Sequence, residues 1–214
     1  MTDEDVRQLA WSGLSSPATV DFNSLPHEPR NPAAESATLG ALMLSKRCAD
    51  ALLPALRSDH FTSRPHQDTL EAIRSVHASG RPVDPLLVHD QLRRHGRLAW
   101  GNIKAATFIH ACLEATYFPG HGDSYAAAVV ECAARRRVLQ AGIRIAQAAS
   151  RGTGELPDLM RLVASELHAV GDEVTVHEQL RVQRRRPIPL AEAIEETLPH
   201  LTSAGPHAIG DLPM

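Results

Sequence analysis

The side chains most capable of chemistry in this sequence are its histidines and cysteines. There are 12 histidines and three cysteines, and the cysteines lie far apart, at Cys48, Cys112 and Cys132. No HExxH or Cys-x-x-Cys spacing is present, whereas a protein zinc site needs clustered ligands. We therefore expect the cysteines to be reduced and mostly buried, and His60 and His66 to form hydrogen bonds inside the fold. The sequence predicts no metal site.

The lysines and serines argue against two common kinds of enzyme site. The only lysines, Lys46 and Lys104, precede Arg47 and Ala105. A P-loop lysine instead precedes serine or threonine, after a loop that contains glycines. No serine has the strand-turn-helix setting of a nucleophile elbow. We therefore predict that the chain has no catalytic residues, binds no cofactor and does not hydrolyse ATP by itself.

The arginine run Arg135-Arg136-Arg137 could contact a DNA backbone, because guanidinium groups pair well with phosphates. The alternative is a solvated helix face paired with carboxylates such as Glu131. The formal net charge of −3 argues against general coating of nucleic acid, so any DNA contact is expected to be weak or indirect. The sequence has no stretch of 18 apolar residues and begins with acidic residues instead of a secretory signal. It therefore predicts a cytoplasmic protein that does not enter membranes.

The composition favours helices as the elements that position these residues. Hydrophobic residues make up 43% of the chain and aromatic residues only 4%, so Ala, Leu, Val and Ile must form the core. After a flexible leader, residues 1–31, we predict a head of five helices at residues 32–118. Asn31 and Asp84 are predicted helix caps, each followed by proline at the first helical position. The helix after Asp84 is expected to offer three residues to the core: Leu86, Val88 and Leu92.

A long helical hairpin is predicted at residues 122–171. Residues 123–150 contain no proline and carry two apolar stripes at helical spacing, which is more than one partner helix can cover. Gly152 and Gly154 indicate the turn, and the return helix is predicted at residues 158–170. Its predicted inner side consists of Leu159, Val163, Leu167 and Val170. Because this helix covers one stripe, we predict that the other stripe mediates self-association. The self-association residues are Val130, Val138 and Ile145.

Residues 172–214 are predicted to be a linker that carries a short docking helix. The arginines at residues 184–186 precede Pro187 and Pro189, a composition typical of linkers. An amphipathic helix at residues 190–201 follows, and a helix of this length is marginal alone. We therefore expect it to dock on a neighbouring protein through one apolar side, which consists of Leu190, Ile194, Leu198 and Leu201.

Five segments stand out by their order and spacing. They are Pro32-Ala33-Ala34-Glu35-Ser36-Ala37-Thr38-Leu39-Gly40-Ala41-Leu42, Asp59-His60-Phe61, Gly80-Arg81-Pro82-Val83-Asp84, Tyr125-Ala126 and Arg137-Val138-Leu139. Together they resemble the N-terminal domain of DnaB-type replicative DNA helicases, over roughly residues 31–171. Trp100-Gly101-Asn102 departs from that family, which often has Gly-Gly and an aromatic residue at this place.

The resemblance implies an all-α fold, with a small orthogonal bundle of helices as the head and a long antiparallel helical hairpin after it. In this family the domain joins a collar built as a trimer of dimers, and a linker, a docking helix and a RecA-like ATPase follow. The resemblance thus implies a bacterial primosome module that self-associates as a dimer or a larger, ring-forming assembly. Its implied partners are a helicase ATPase domain, primase or a helicase loader. ATP-dependent 5′–3′ unwinding would belong to the ATPase part.

Two other functions remain open at this stage. The chain could be a free-standing regulator that docks on a full-length helicase and modulates it. It could also be a helical DNA-binding regulator, which would need a short basic recognition helix. The most basic helix predicted here is the long arm at residues 123–150, which has the wrong shape for that purpose.

Overall fold

The structure is a computed structural model that describes residues 28–151 and 155–184. These residues form seven α-helices and one two-stranded ribbon, which confirms the predicted all-α fold class. The helices are α1 (Pro32–Leu44), α2 (Lys46–Leu52), α3 (Arg64–Ala78), α4 (Pro85–Arg94), α5 (Ala105–Glu114), α6 (Gly122–Arg151) and α7 (Leu156–Arg184). The antiparallel ribbon consists of β1 (Ala99–Trp100) and β2 (Ile103–Lys104), and 3₁₀ turns lie at Ser58–His60 and Pro119–His121. None of the described helices has the length and apolarity needed to cross a membrane.

α1 is the central helix of the head and is buried along most of its length. Asn31 starts it as predicted, because its Oδ1 accepts a hydrogen bond from the Ala34 N–H at 3.0 Å. α1 packs against both α5 and α6. Gly40 makes the close approach to α5 possible, since a Cβ there would overlap the Thr116 side chain and the Cys112 carbonyl group.

α3 and α4 pack against each other beside α1. α4 begins at the predicted cap, where the Asp84 Oδ1 accepts a hydrogen bond from the Leu87 N–H at 2.9 Å. Val88 and Leu92 are fully buried, but Leu86 is 76% exposed, so the prediction that Leu86 joins the core is wrong. Leu86 lies about 200° around the helix from Val88, and therefore on the opposite side. α3 buries Leu70, Ile73 and Val76 in the core.

α5 begins at Ala105, directly after the ribbon. The two residues before it form β2 and pair with β1. The ribbon is fixed to α3, because the Trp100 Nε1 donates a hydrogen bond to the Asp68 Oδ2 at 2.8 Å. Arg97 donates to the other oxygen of Asp68 at 2.7 Å. These partners compensate the buried Asp68 carboxylate for its lost hydration.

α6 and α7 form the predicted antiparallel hairpin. The predicted end of the return helix at Val170 is wrong, because α7 continues to Arg184. Residues 172–184, which were assigned to the linker, are therefore helical. The reason is a contact distant in sequence: Val176 and Leu180, one turn apart, pack against the hydrophobic core of the head.

Parts of the predicted domain organisation lie outside the described residues. They are residues 1–27 of the leader, the turn at residues 152–154 and residues 185–214, which contain the predicted docking helix. The division into leader, head, hairpin and linker stays a prediction in these regions. The same holds for the four docking residues, which are Leu190, Ile194, Leu198 and Leu201.

Candidate functional site

The two arms of the hairpin are joined by a bidentate ion pair. The Arg144 Nε and Nη2 donate to the two carboxylate oxygens of Glu166, at 2.7 and 2.6 Å. The hydrogen bonds from Arg144 hold the pKa of Glu166 below its ordinary value, and the charge of Arg137 acts in the same direction. Two parallel hydrogen bonds of this kind also fix the relative position of the arms.

The predicted self-association stripe of α6 does not form one exposed surface. Val130 is fully buried in the core of the head, so its assignment to a surface for a second molecule is wrong. Val138 is 52% exposed and Ile145 is half-buried. α6 packs against both α1 and α7, and the part of α6 that carries Val130 lies in the core of the head. The sequence shows two stripes but does not show which neighbour covers each part of them.

An exposed apolar stripe runs along α7 instead, and we call it the α7 stripe. Its residues Leu156, Met160, Leu167 and Val174 are 70%, 58%, 60% and 47% exposed. Their spacing of four, seven and seven residues places them within about 40° on one side of the helix. The sequence analysis placed Leu167 on the inner side, which is wrong. The other three residues of the predicted inner side are half-buried: Leu159, Val163 and Val170.

The three consecutive arginines of α6 have different environments. Arg136, for which DNA contact was one of two alternatives, is buried and donates to three carbonyl oxygens of the head, so its guanidinium is not exposed to a DNA backbone in this fold. Arg135 is exposed and donates to the Glu131 Oε1 at 2.7 Å. This is the ion pair with Glu131 that the sequence offered as the alternative to DNA contact. Arg137 is half-buried. DNA contact by Arg135 and Arg137 stays a prediction. The acceptors of Arg136 are the carbonyl oxygens of Pro29 (2.8 Å), Asp59 (3.3 Å) and His60 (2.7 Å).

A buried charged cluster joins α7 to the head, and the sequence analysis did not predict it. The Glu173 carboxylate of α7 is buried and accepts a hydrogen bond from Arg57. Its Oε2 lies 3.3 Å from the His60 Nε2. Arg57 also donates to the Asp59 carboxylate. Because Arg57 and Glu173 are 116 residues apart, no local sequence pattern indicates that they meet.

His60 and His66 form hydrogen bonds inside the head, as predicted. The His60 Nδ1 accepts a hydrogen bond from the Arg57 N–H at 3.2 Å, and burial lowers the pKa of this ring. The two nitrogens of His66 lie 3.0 and 2.5 Å from the hydroxyl oxygens of Ser36 and Ser63. Burial lowers the pKa of His66 to about 4, so this ring is neutral near pH 7. Within residues 28–151 and 155–184, no three His, Cys, Asp or Glu side chains are grouped to hold a metal ion.

Comparison with known proteins relates this head and hairpin to replicative helicases. Residues 27–131 match the family described as DnaB-like helicase N terminal domain. The chain is 31% identical over 170 residues to the replicative DNA helicase DnaB of Mycobacterium leprae, and 27% identical over 184 residues to that of Leifsonia xyli subsp. xyli. The alignments cover 78% and 86% of this chain but only 28% and 38% of these relatives. The chain therefore spans less than two fifths of their length.

A solved structure extends the similarity to the three-dimensional fold. The crystal structure of the N-terminal domain of DnaB helicase from Mycobacterium tuberculosis matches with a TM-score of 0.61 and 29% sequence identity. The match covers 66% of this chain and 99% of that chain. Head and hairpin together thus form an all-α domain of the kind found at the N-terminus of a replicative helicase. Residues 27–131 carry the DnaB-like helicase N-terminal domain that the sequence resemblance predicted.

Proposed function

We propose that this chain acts in DNA replication as the assembly module of a DnaB-type helicase, and that it self-associates through its hairpin. Its relatives are named replicative DNA helicases, and it is similar to their N-terminal domain. In this proposal the module hydrolyses no ATP itself. ATP-driven unwinding belongs to an ATPase domain that lies outside the matched region.

The α7 stripe is the observation that carries the proposal. Its four apolar side chains repeat at the spacing with which packed helices bury their contacts, and each is about half exposed or more. Contiguous apolar surface of this kind is unfavourable in water and marks an interaction site. A second copy carries the same stripe, so two copies can bury their stripes against each other about a two-fold axis. Of the self-association residues predicted from the sequence, Val138 and Ile145 of α6 are not buried and can contribute to this interface.

A light-scattering comparison of two variants tests self-association. Replacing Met160 and Leu167 by glutamate places two charges in the α7 stripe, so the molar mass at a given concentration should fall towards that of one chain. Helicity should be retained, because both side chains are exposed in a single copy. Leu86→Glu is the matched control, since Leu86 is even more exposed than these two residues but lies on the head. An unchanged mass for the double variant would contradict the proposal.

We further propose that the assembled module binds primase or a helicase loader, and that residues 190–201 dock on a helicase ATPase domain. Exposed apolar side chains on the head support a contact surface separate from the hairpin. They are Leu86, Leu98, Ile103, Tyr117 and Phe118. The docking residues lie outside the described part of the chain, so the support for them is the amphipathic sequence pattern alone.

A binding assay with a DnaB-type ATPase domain tests the docking proposal. Leu198→Asp should abolish binding of this chain to that domain, because it introduces a charge into the apolar side of the predicted helix. The mass of the free module should stay the same, which separates docking from self-association. The docking proposal fails if the unmodified chain does not bind, or if Leu198→Asp binds equally well.

A further inference from the structure

The hydrogen bonds and ion pairs between hairpin and head end part-way along both arms. On α6, the outermost hydrogen bond to the head runs from the Gln140 Nε2 to the Glu28 Oε1 at 3.2 Å. On α7, Glu173 makes the outermost polar contacts, with Arg57 and His60. Beyond these levels, the side-chain hydrogen bonds of the described residues join hairpin residues to one another. The hairpin therefore has an inner part that is fixed to the head and an outer part that is not.

One glycine lies at this boundary on each arm. Gly142 follows Gln140 by two residues on α6, and Gly171 precedes Glu173 by two residues on α7. Packing does not require either glycine, because a Cβ at these positions would meet no atom within 4 Å. Gly122 differs, since a Cβ there would lie 2.9 Å from the sulfur of Cys48.

Backbone geometry does not require the boundary glycines either. Both lie inside regular α-helices, and neither is among the glycines with positive φ. Glycine is the least favourable residue inside a helix apart from proline, because it loses the most backbone freedom when it is ordered. Two such residues therefore weaken both arms close to their last contacts with the head. Gly142 and Gly171 have no other evident role in the described structure.

The outer part of the hairpin is held together independently of the head. The Arg144–Glu166 ion pair joins the two arms beyond the boundary. Half-buried apolar side chains of α7, such as Leu159 and Val163, lie on the side of α7 that was predicted to face α6. A bend at the boundary can therefore move the outer part without separating its arms.

We propose that Gly142 and Gly171 form a hinge across the hairpin, about which residues 143–151 and 155–170 swing as a unit relative to the head. Glycine leaves a helix backbone less restrained than other residues do, and no neighbouring atom within 4 Å of a Cβ at these two positions adds a restraint. The outer arm of α7 is about 20 Å long at a rise of about 1.5 Å per residue. A bend of about 20° would then displace the tip by about 7 Å. Such a hinge changes the direction in which the outer hairpin presents its surface, whatever partner binds there.

Distance measurements between two spin labels test the hinge. One label is placed on the head by Thr107→Cys and one on the outer hairpin by Gln147→Cys, both at exposed positions, after Cys132→Ser removes the half-buried thiol. Labelled chains are diluted with excess unlabelled chain, so only distances within one copy are detected. We expect the distance distribution of the otherwise unmodified chain to be at least twice as broad as that of the Gly142→Ala, Gly171→Ala double variant.

Two controls make the result specific to the hinge. Ser165→Ala improves helix propensity at an exposed position of the outer hairpin, away from the boundary, and should leave the width unchanged. Labels at Gln147→Cys and Arg161→Cys, both on the outer hairpin, should give a narrow distribution in every variant. Equal head-to-hairpin widths with and without the two glycines would overturn the proposal. A broad distribution for the pair within the outer hairpin would overturn it too, because the arms would then separate instead of swinging together.

Discussion

Replacing Arg136 by alanine is expected to destabilise this protein strongly, because the arginine is buried and serves three acceptors of the head. The substitution removes two short hydrogen bonds, to the carbonyl oxygens of Pro29 and His60, and a longer one to that of Asp59. A buried acceptor that loses its partner costs about 1–3 kcal/mol, and hydrogen bonds to charged donors lie at the upper end. For the two short bonds together, we expect the free energy of unfolding to fall by about 3 kcal/mol.

Urea unfolding followed by far-ultraviolet circular dichroism measures this loss. With a slope of about 2 kcal/mol per molar urea, the midpoint for Arg136→Ala should fall by about 1.5 M. Arg135→Ala is the matched control on the next residue, because Arg135 is exposed and pairs only with Glu131 at the surface. Its free energy of unfolding should change by about 0.5 kcal/mol or less. Arg136→Lys should recover only part of the loss, since an ammonium group lacks the planar fork of donors that reaches several carbonyl groups.

Equal midpoints for Arg136→Ala and Arg135→Ala would refute the structural role of Arg136. In that case the arginine would be available to solvent and would again be a candidate for contact with a DNA backbone. A salt-dependent loss of DNA binding in Arg136→Ala, with unchanged stability, would support that alternative directly.

The remaining predictions concern the head and the hairpin. Burial lowers the pKa of His66 from about 6.5 in the unfolded chain to about 4 in the fold, so the unfolded state binds more protons between these values. The stability that the neutral ring contributes is present above pH 6.5. As the pH falls towards 4, the free energy of unfolding should decrease by up to about 3 kcal/mol. Urea unfolding of His66→Gln should show a weaker dependence on pH. Gly40→Ala should lower the melting temperature, at a cost of about 1–3 kcal/mol, because its methyl group would overlap the Cys112 carbonyl group. Gly142→Ala, which meets open space, should raise the free energy of unfolding by about 0.5–1 kcal/mol, and a loss of stability there would contradict the packing described.

The features that could be predicted from the sequence are those set by neighbouring residues. Asn31 and Asp84 cap their helices because a side-chain oxygen three residues before an amide can reach it, whatever the rest of the fold does. The proline-free run before Gly152 likewise predicts the long helix α6, since helical spacing of apolar residues is a local property.

The features that could not be predicted depend on which surfaces meet. Leu167 and Leu159 both repeat at helical spacing, and only the fold shows that Leu167 faces solvent while Leu159 is half-buried. Arg136 has the same type and neighbours as Arg135, yet it is buried because the turn at Ser58–His60 presents carbonyl oxygens to it. Glu173 extends α7 onto the head through partners more than a hundred residues away. None of these contacts leaves a pattern in its own segment of sequence.

Sedimentation equilibrium of the unmodified chain over a wide range of concentrations tests the central claim most directly, which is that the hairpin is a surface for other copies of this chain. We expect the mean mass to rise with concentration to at least twice that of a single chain, and the Met160→Glu, Leu167→Glu variant to lose this rise. A mass that stays at one chain throughout, or an association that is the same in the variant, would contradict the claim.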